Sequence, residues 1–139
     1  MEEIRCALES DREFWFRLDR HLAPEAFARK VRERQAYICL ADGVPAGLLR
    51  YGLFWDSIPF CNLLYVAEGS RGLGLGRALM QHWEGEMKRL GCNLIMTSTQ
   101  ADESAQHFYR KLGYRDCGGL VLGTGGQVPP LELVLCKEL

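Results

Sequence analysis

The residues best suited to chemistry, by type and spacing, are Arg71-Gly72-Leu73-Gly74-Leu75-Gly76-Arg77. The run before them, Phe60 to Val66, is apolar and reads as a buried strand. After them Leu75, Leu79, Trp83, Met87 and Leu90 recur at helical spacing. A glycine turn between strand and helix is a site for an anion. The first N–H groups of a helix have no partner inside it and lie at the positive end of its dipole. Glycine lets a phosphate approach that backbone with no side chain in the way. Arg71 and Arg77 flank the turn with cationic donors. The spacing predicts a phosphate-bearing ligand; the alternative is a tight-packing turn with no ligand.

Spacing narrows the ligand further. The dinucleotide fingerprint G-x-G-x-x-G fails, because its third glycine falls on Arg77 counted from Gly72, or on Leu79 counted from Gly74. That makes a nucleotide-binding oxidoreductase fragment remote. No Gly-Lys-Ser or Gly-Lys-Thr exists for a nucleotide P-loop. Arg71-x-x-Gly74-x-Gly76 remains.

The elements around the turn follow from length and pattern. A chain of 139 residues with 47% hydrophobic and 25% charged content reads as one globular domain, 1–139. A net charge of −1 offers no basic surface for nucleic acid. No apolar stretch is long enough to cross a bilayer, and Met1-Glu2-Glu3-Ile4-Arg5 is unlike a secretory signal, so a cytoplasmic location with no membrane partner is expected. Cys6, Cys39, Cys61, Cys92, Cys117 and Cys136 are scattered, without a C-x-x-C pair, and read as mostly buried reduced thiols. His21, His82 and His107 share no ligand spacing, so a metal is unsupported.

Ile4 to Leu8 reads as a first strand, and Ser10-Asp11-Arg12-Glu13 as a capping box opening a helix with Phe14, Leu18 and Leu22. Pro24 opens a second helix carrying Phe27 and Val31. Gln35–Ala41 and Val44–Trp55 read as strands joined by an Asp42-Gly43 hairpin. The strand ending at Val66, the glycine turn and a long helix closing at Gly91 come next. Cys92–Thr97 reads as a strand. A short helix follows, capped by Asp102 and ending at Gly113, then strands Tyr114–Leu122 and Leu131–Cys136 around a glycine- and proline-rich loop, 123–130. The order βααβββαβαββ predicts an α/β (α+β) fold with an antiparallel sheet and one parallel crossover about the glycine turn.

A second string, Phe108-Tyr109-Arg110-Lys111-Leu112-Gly113-Tyr114, completes the picture. With Arg71-x-x-Gly74-x-Gly76 one helix and one strand before it, the chain resembles the GNAT superfamily of acyl-CoA-dependent N-acyltransferases over nearly its whole length. The resemblance implies a sheet of about seven strands, splayed in the middle, with about four helices. It implies acetyl-CoA as cosubstrate, a primary amine of a small molecule or peptide as acceptor, and direct attack through a tetrahedral intermediate. The pantetheine arm would pair with Leu64, Tyr65 and Val66 like an added strand. The amides of Gly72, Leu73, Gly74, Leu75, Gly76 and Arg77 would bind the pyrophosphate, with Arg71 shaping the turn. Tyr109 matches the proton donor to the departing thiolate, although its spacing with Phe108 and Leu112 also fits plain packing. Asp102 stands where relatives often carry asparagine, so a contact to the arm is lost or passes through water.

The acceptor side is less defined. An amine must lose a proton to attack, yet Ile58–Val66 holds no acid. Asp56 is the better candidate for a base or for a contact to a cationic amine, Glu68 reads as a solvated charge, and ordered water is the third route. Phe54, Trp55, Phe60, Thr97, Ser98, Thr99 and Gln100 suit either an acceptor pocket or ordinary packing. The missing strand acid and Asp102 keep a second function in view: an acyl-CoA-binding module of this fold without transfer. The closing strands suit a homodimer or internal packing.

Overall fold

The computed structural model describes residues 1–123 and 130–139. Its strands are β1 (Glu2–Cys6), β2 (Ala36–Ala41), β3 (Val44–Phe54), β4 (Ile58–Val66), β5 (Leu94–Gln100), β6 (Arg115–Leu120) and β7 (Glu132–Glu138). Its helices are α1 (Arg12–Leu18), α2 (Pro24–Arg32), α3 (Leu75–Arg89) and α4 (Ala105–Lys111), with short 3-10 turns at Glu9–Asp11 and Glu68–Ser70. The order of elements is the one expected, and the strands pair as β1-β2-β3-β4-β5-β7-β6. β4 and β5 are parallel, while β1–β2, β2–β3, β5–β7 and β6–β7 are antiparallel. The loop expected at 123–130 lies for the most part outside the described residues.

Two compact units divide the chain: 1–52 with 62–86, and 53–61 with 87–139. In the first, Trp15 and Phe27 pack with Ala7, Ala36 and Leu48, and Leu63 of β4 joins them. Full burial of a side chain such as Phe27 contributes about 2 kcal/mol. Pro24 takes the first position of α2, where its missing N–H costs nothing. Asp42 (φ 49°) and Gly43 (φ 81°) turn the β2–β3 hairpin in the left-handed conformation that such turns require. In the second unit, Met96, Val134 and Cys136 gather Phe54, Ile58, Phe60 and Leu94 about them.

Three local expectations are corrected. β1 spans Glu2–Cys6 rather than Ile4–Leu8, because Leu8 already leads the 3-10 turn: its N–H donates to the Asp11 carboxylate at 2.7 Å. That same carboxylate takes both Arg5 donors, at 2.7 and 3.0 Å, so the capping box expected at Ser10 does not form and α1 begins at Arg12. α4 starts from Ser104 rather than Asp102, with no side-chain cap. The Gln106 amide instead donates to the carbonyls of Ala101 and Glu103. All six cysteines are free; Cys39, Cys61 and Cys136 are buried, but Cys117 is exposed where β6 bulges against β7. Among the described residues no helix is long and apolar enough to cross a membrane, and no group of His, Cys, Asp or Glu is placed to hold a metal ion.

Candidate active site

In the first unit, β4 ends at Val66 and the chain turns through Glu68–Ser70 into Arg71–Gly74 before α3 begins at Leu75. Gly72 (φ 80°) and Gly74 (φ 78°) both take left-handed backbone, which an L side chain adopts only under strain. A Cβ built on either would meet no protein atom within 4 Å. Arg71 folds back on the strand it follows: its Nε donates to the Val66 carbonyl at 3.0 Å, and its guanidinium lies 5.3 Å from the Tyr65 ring centroid. Arg71 therefore fixes the exit angle of the strand. Arg77 is exposed, and among the described residues it makes no hydrogen bond or ion pair.

The backbone donors of this turn are largely without protein partners. The Arg71 N–H reaches the Glu68 carbonyl at 3.4 Å, and the next amide with a protein acceptor is that of Ala78, which donates to Gly74 at 3.0 Å. Among the described residues, the N–H groups of Gly72, Leu73, Gly74, Leu75, Gly76 and Arg77 have no protein acceptor. Leu75, Leu79, Met80 and Trp83 are buried and anchor the start of α3. Polar backbone left without partners favours an anion with several acceptor oxygens.

In the second unit, β4 and β5 are paired at Phe60↔Met96 and Cys61↔Thr97, although β5 continues to Gln100 and β4 to Val66. At that last rung the Thr97 hydroxyl donates to the Cys61 carbonyl at 3.1 Å. Tyr109 reaches the same place from α4. Its ring is 7% exposed and packs edge-on against Phe108 and Tyr114, with centroids 5.2 and 5.8 Å away. Gly113 (φ 96°) reverses the chain after α4, and the Tyr114 N–H donates back to the Tyr109 carbonyl at 3.1 Å, which locks the turn carrying the phenol. Burial pushes the Tyr109 phenol well above its ordinary range, as does the nearby Cys61 thiol, while a hydrogen bond with Thr97 acts the other way. A phenol held this way stays protonated and can give a proton.

Of the remaining expected residues, Trp55, Asp56 and Asp102 lie in exposed turns. Trp55 (φ 52°) and Asp56 (φ 62°) form the turn between β3 and β4, closed by the Ser57 N–H on the Phe54 carbonyl at 3.2 Å. Trp55 is 78% exposed. Asp56 is also exposed, two residues ahead of the start of β4. Asp102 is exposed in the turn ahead of α4 and makes no hydrogen bond or ion pair among the described residues. Thr97, read from sequence as an acceptor contact or packing residue, is 1% exposed and bonded as described above. No sequence signal distinguishes it from any other strand threonine.

A family model for acetyltransferases of the GNAT family matches residues 2–114. The chain is 33% identical over 92 residues to streptothricin acetyltransferase of Streptomyces lavendulae, a match covering 63% of this chain and 49% of that protein. It thus spans about half the length of that relative. Among solved structures it is similar to Ard1 from Thermoplasma volcanium, with a TM-score of 0.85, 16% identity, and coverage of 99% and 97% of the two chains. It is also similar to Arabidopsis thaliana Naa50 in complex with the bisubstrate analogue CoA-Ac-MVNAL, with a TM-score of 0.79, 15% identity, and 99% of both chains covered. These likenesses establish the seven-stranded fold, and the match of the family model over most of the sequence establishes kinship: the chain belongs to the GNAT family of acetyltransferases.

Proposed function

We propose that this chain acts as a single domain that transfers an acetyl group from acetyl-CoA to a primary amine of a small molecule or a peptide. The observation that carries the reading is the row of unengaged amides from Gly72 to Arg77 over two left-handed glycines. A diphosphate offers the acceptor oxygens such a row requires, and Arg77 adds a free cation beside it. The pantetheine arm pairs with the backbone of Leu64, Tyr65 and Val66, and Asp102 meets it through water.

The amine attacks the thioester carbonyl, and the tetrahedral intermediate then expels the CoA sulfur. Tyr109 gives its proton to that sulfur. A general acid of this kind is worth about 100-fold or more in rate. Asp56 is exposed in the turn that precedes β4. Its place in the exposed hairpin suits holding a cationic acceptor, and the proton passes to solvent.

Streptothricin and the peptide Met-Val-Asn-Ala-Leu are the first acceptors to try, each tied to one relative. Release of free thiol from acetyl-CoA, followed with each amine, is the test. Tyr109→Phe is expected to lower kcat about 100-fold with the KM for acetyl-CoA unchanged. Full turnover by that variant removes the proton-donor assignment, and failure to bind acetyl-CoA removes the reading as a whole.

A further inference from the structure

Lys30 of α2 is half-buried, and among the described residues it makes no ion pair. Its ammonium has three hydrogens. One goes to the Tyr51 carbonyl, and the Gln35 amide oxygen stands 3.5 Å away, at the limit of a hydrogen bond. Burial first, and the Arg50 charge second, push the Lys30 amine below its ordinary range, with Glu33 opposing them. Arg50 itself is engaged: its Nε donates to the buried Asp19 carboxylate at 2.7 Å. A half-buried ammonium beside a second cation is short of one anion. Gly52 marks where that anion fits. Leu48 packs with Trp15 and Phe27, and Arg50 reaches Asp19, so strand alternation puts Gly52 on that same face of β3. Gly52 does not take left-handed backbone, so room rather than conformation calls for glycine there. A Cβ on it would meet the Asn62 amide nitrogen at 3.1 Å and Lys30 Nζ at 3.7 Å. Two nitrogen donors, one from α2 and one from β4, thus flank a single bare α-carbon. Asn62 is exposed, and its amide has no protein partner among the described residues.

We propose that Lys30 and Asn62 hold a carboxylate of the acceptor, and that the acceptor amine is a free amino acid. The inference rests on the acetyl-transfer reading. In that reading the arm of acetyl-CoA runs back along β4 from the glycine turn, past Val66 and Tyr65 to Leu64. Its thioester end then points toward Asn62, two residues further on. The phosphates lie at the other end of the arm, and CoA carries no carboxylate. The anion that Lys30 lacks therefore comes with the acceptor. Two oxygens match the two donors, and one negative charge balances one ammonium, since Arg50 is spent on Asp19. A short molecule carries both groups, its carboxylate on Lys30 and Asn62 and its nitrogen at the thioester. The carboxylate is a spectator in the transfer. The neutral amine forms its bond to the acetyl carbon and loses one proton, and sulfur leaves with the electron pair of the broken bond and gains one.

The test follows thiol release from acetyl-CoA by the full chain, with β-alanine and the protein amino acids each set beside its own carboxamide. The carboxamide keeps the amine and removes the negative charge. For the best amino acid, kcat/KM is expected to exceed that of its carboxamide by about tenfold or more. Lys30→Met keeps the apolar stem and removes the cation, and is expected to bring that ratio down toward one. Asn62→Ala, at an exposed position, is expected to shrink the same ratio by about threefold. Carboxamides or spermidine that outdo every amino acid, or a ratio that Lys30→Met leaves where it was, overturn the carboxylate site and leave the acetyl-transfer reading standing. No thiol release with any amine, hydroxylamine included, overturns that reading and this inference with it. Should Lys30→Met fail to fold, Asn62→Ala carries the same comparison.

Discussion

Alanine at Gly74 separates two jobs that the residue performs: holding a left-handed bend and leaving the space above it clear. The bend alone costs an L residue about 1–2 kcal/mol. Because a Cβ at Gly74 meets no protein atom within 4 Å, no steric clash adds to that cost, and the melting temperature is expected to fall by about 3–8 °C for a chain of this size. Gly43 supplies the control. It has nearly the same φ, 81° against 78°, and equally open surroundings, but it belongs to the β2–β3 hairpin. Gly43→Ala is therefore expected to lose the same stability. Only Gly74→Ala also places a methyl group on the turn proposed to hold the diphosphate. Losing one hydrogen bond from backbone to a charged oxygen is worth about 1.5–3 kcal/mol, or roughly 10- to 100-fold in Kd. Thermal melts give the first quantity, and calorimetric titration with acetyl-CoA gives the second. If Gly74→Ala binds acetyl-CoA like the parent, or Gly43→Ala weakens binding as much, the diphosphate does not sit on this turn.

Other outcomes follow from particular contacts. The Asp19 carboxylate is fully buried and accepts from Arg50 Nε at 2.7 Å, Trp15 Nε1 at 3.0 Å and the His21 N–H at 3.1 Å. Burial pushes its pKa up, but the hydrogen bonds, Arg50 foremost, outweigh that and hold it below the usual carboxylate range. A depressed carboxyl stabilises the fold above its unfolded pKa of about 3.9, and that stability drains away as pH falls through the lower folded value. Asp19→Asn is expected to cost about 3 kcal/mol at neutral pH in a denaturant melt and to flatten the acid limb below about pH 4; an unchanged acid limb would remove Asp19 as its source. Asp56→Gly places glycine at φ 62° and is expected to raise stability by about 1 kcal/mol. In the same variant the KM for the acceptor should rise while that for acetyl-CoA stays put. If neither KM moves, Asp56 has no part in holding the amine.

What the sequence disclosed depended on how uniquely a residue type answers a physical need. Gly72, Gly74, Gly91 and Gly113 all occupy left-handed backbone, and few residues but glycine do so without strain, so turn and helix ends were readable. The Asp42-Gly43 hairpin was readable for the same reason. Trp55 and Asp56 make an equally tight turn from residues that seldom make one, and nothing in their types marks it. Ser10 has the right spacing for a cap, yet Asp11 is claimed by Arg5 and Leu8, and a competition of that kind is settled by tertiary geometry. Tyr109 stood out through the string around it. Thr97 did not, because a strand threonine is ordinary until its buried bond to the Cys61 carbonyl is seen.

β1 and β6 lie at the two ends of the strand order, so each shows one side of its ladder to other molecules. Both are armed against recruitment. β1 opens with the exposed acids Glu2 and Glu3, and β6 pairs charged Arg115 and Asp116 with a kink at Cys117. A stranger's backbone docking there must bring charges into contact or follow a crooked template, so fibril-like stacking of intact copies is discouraged at both margins.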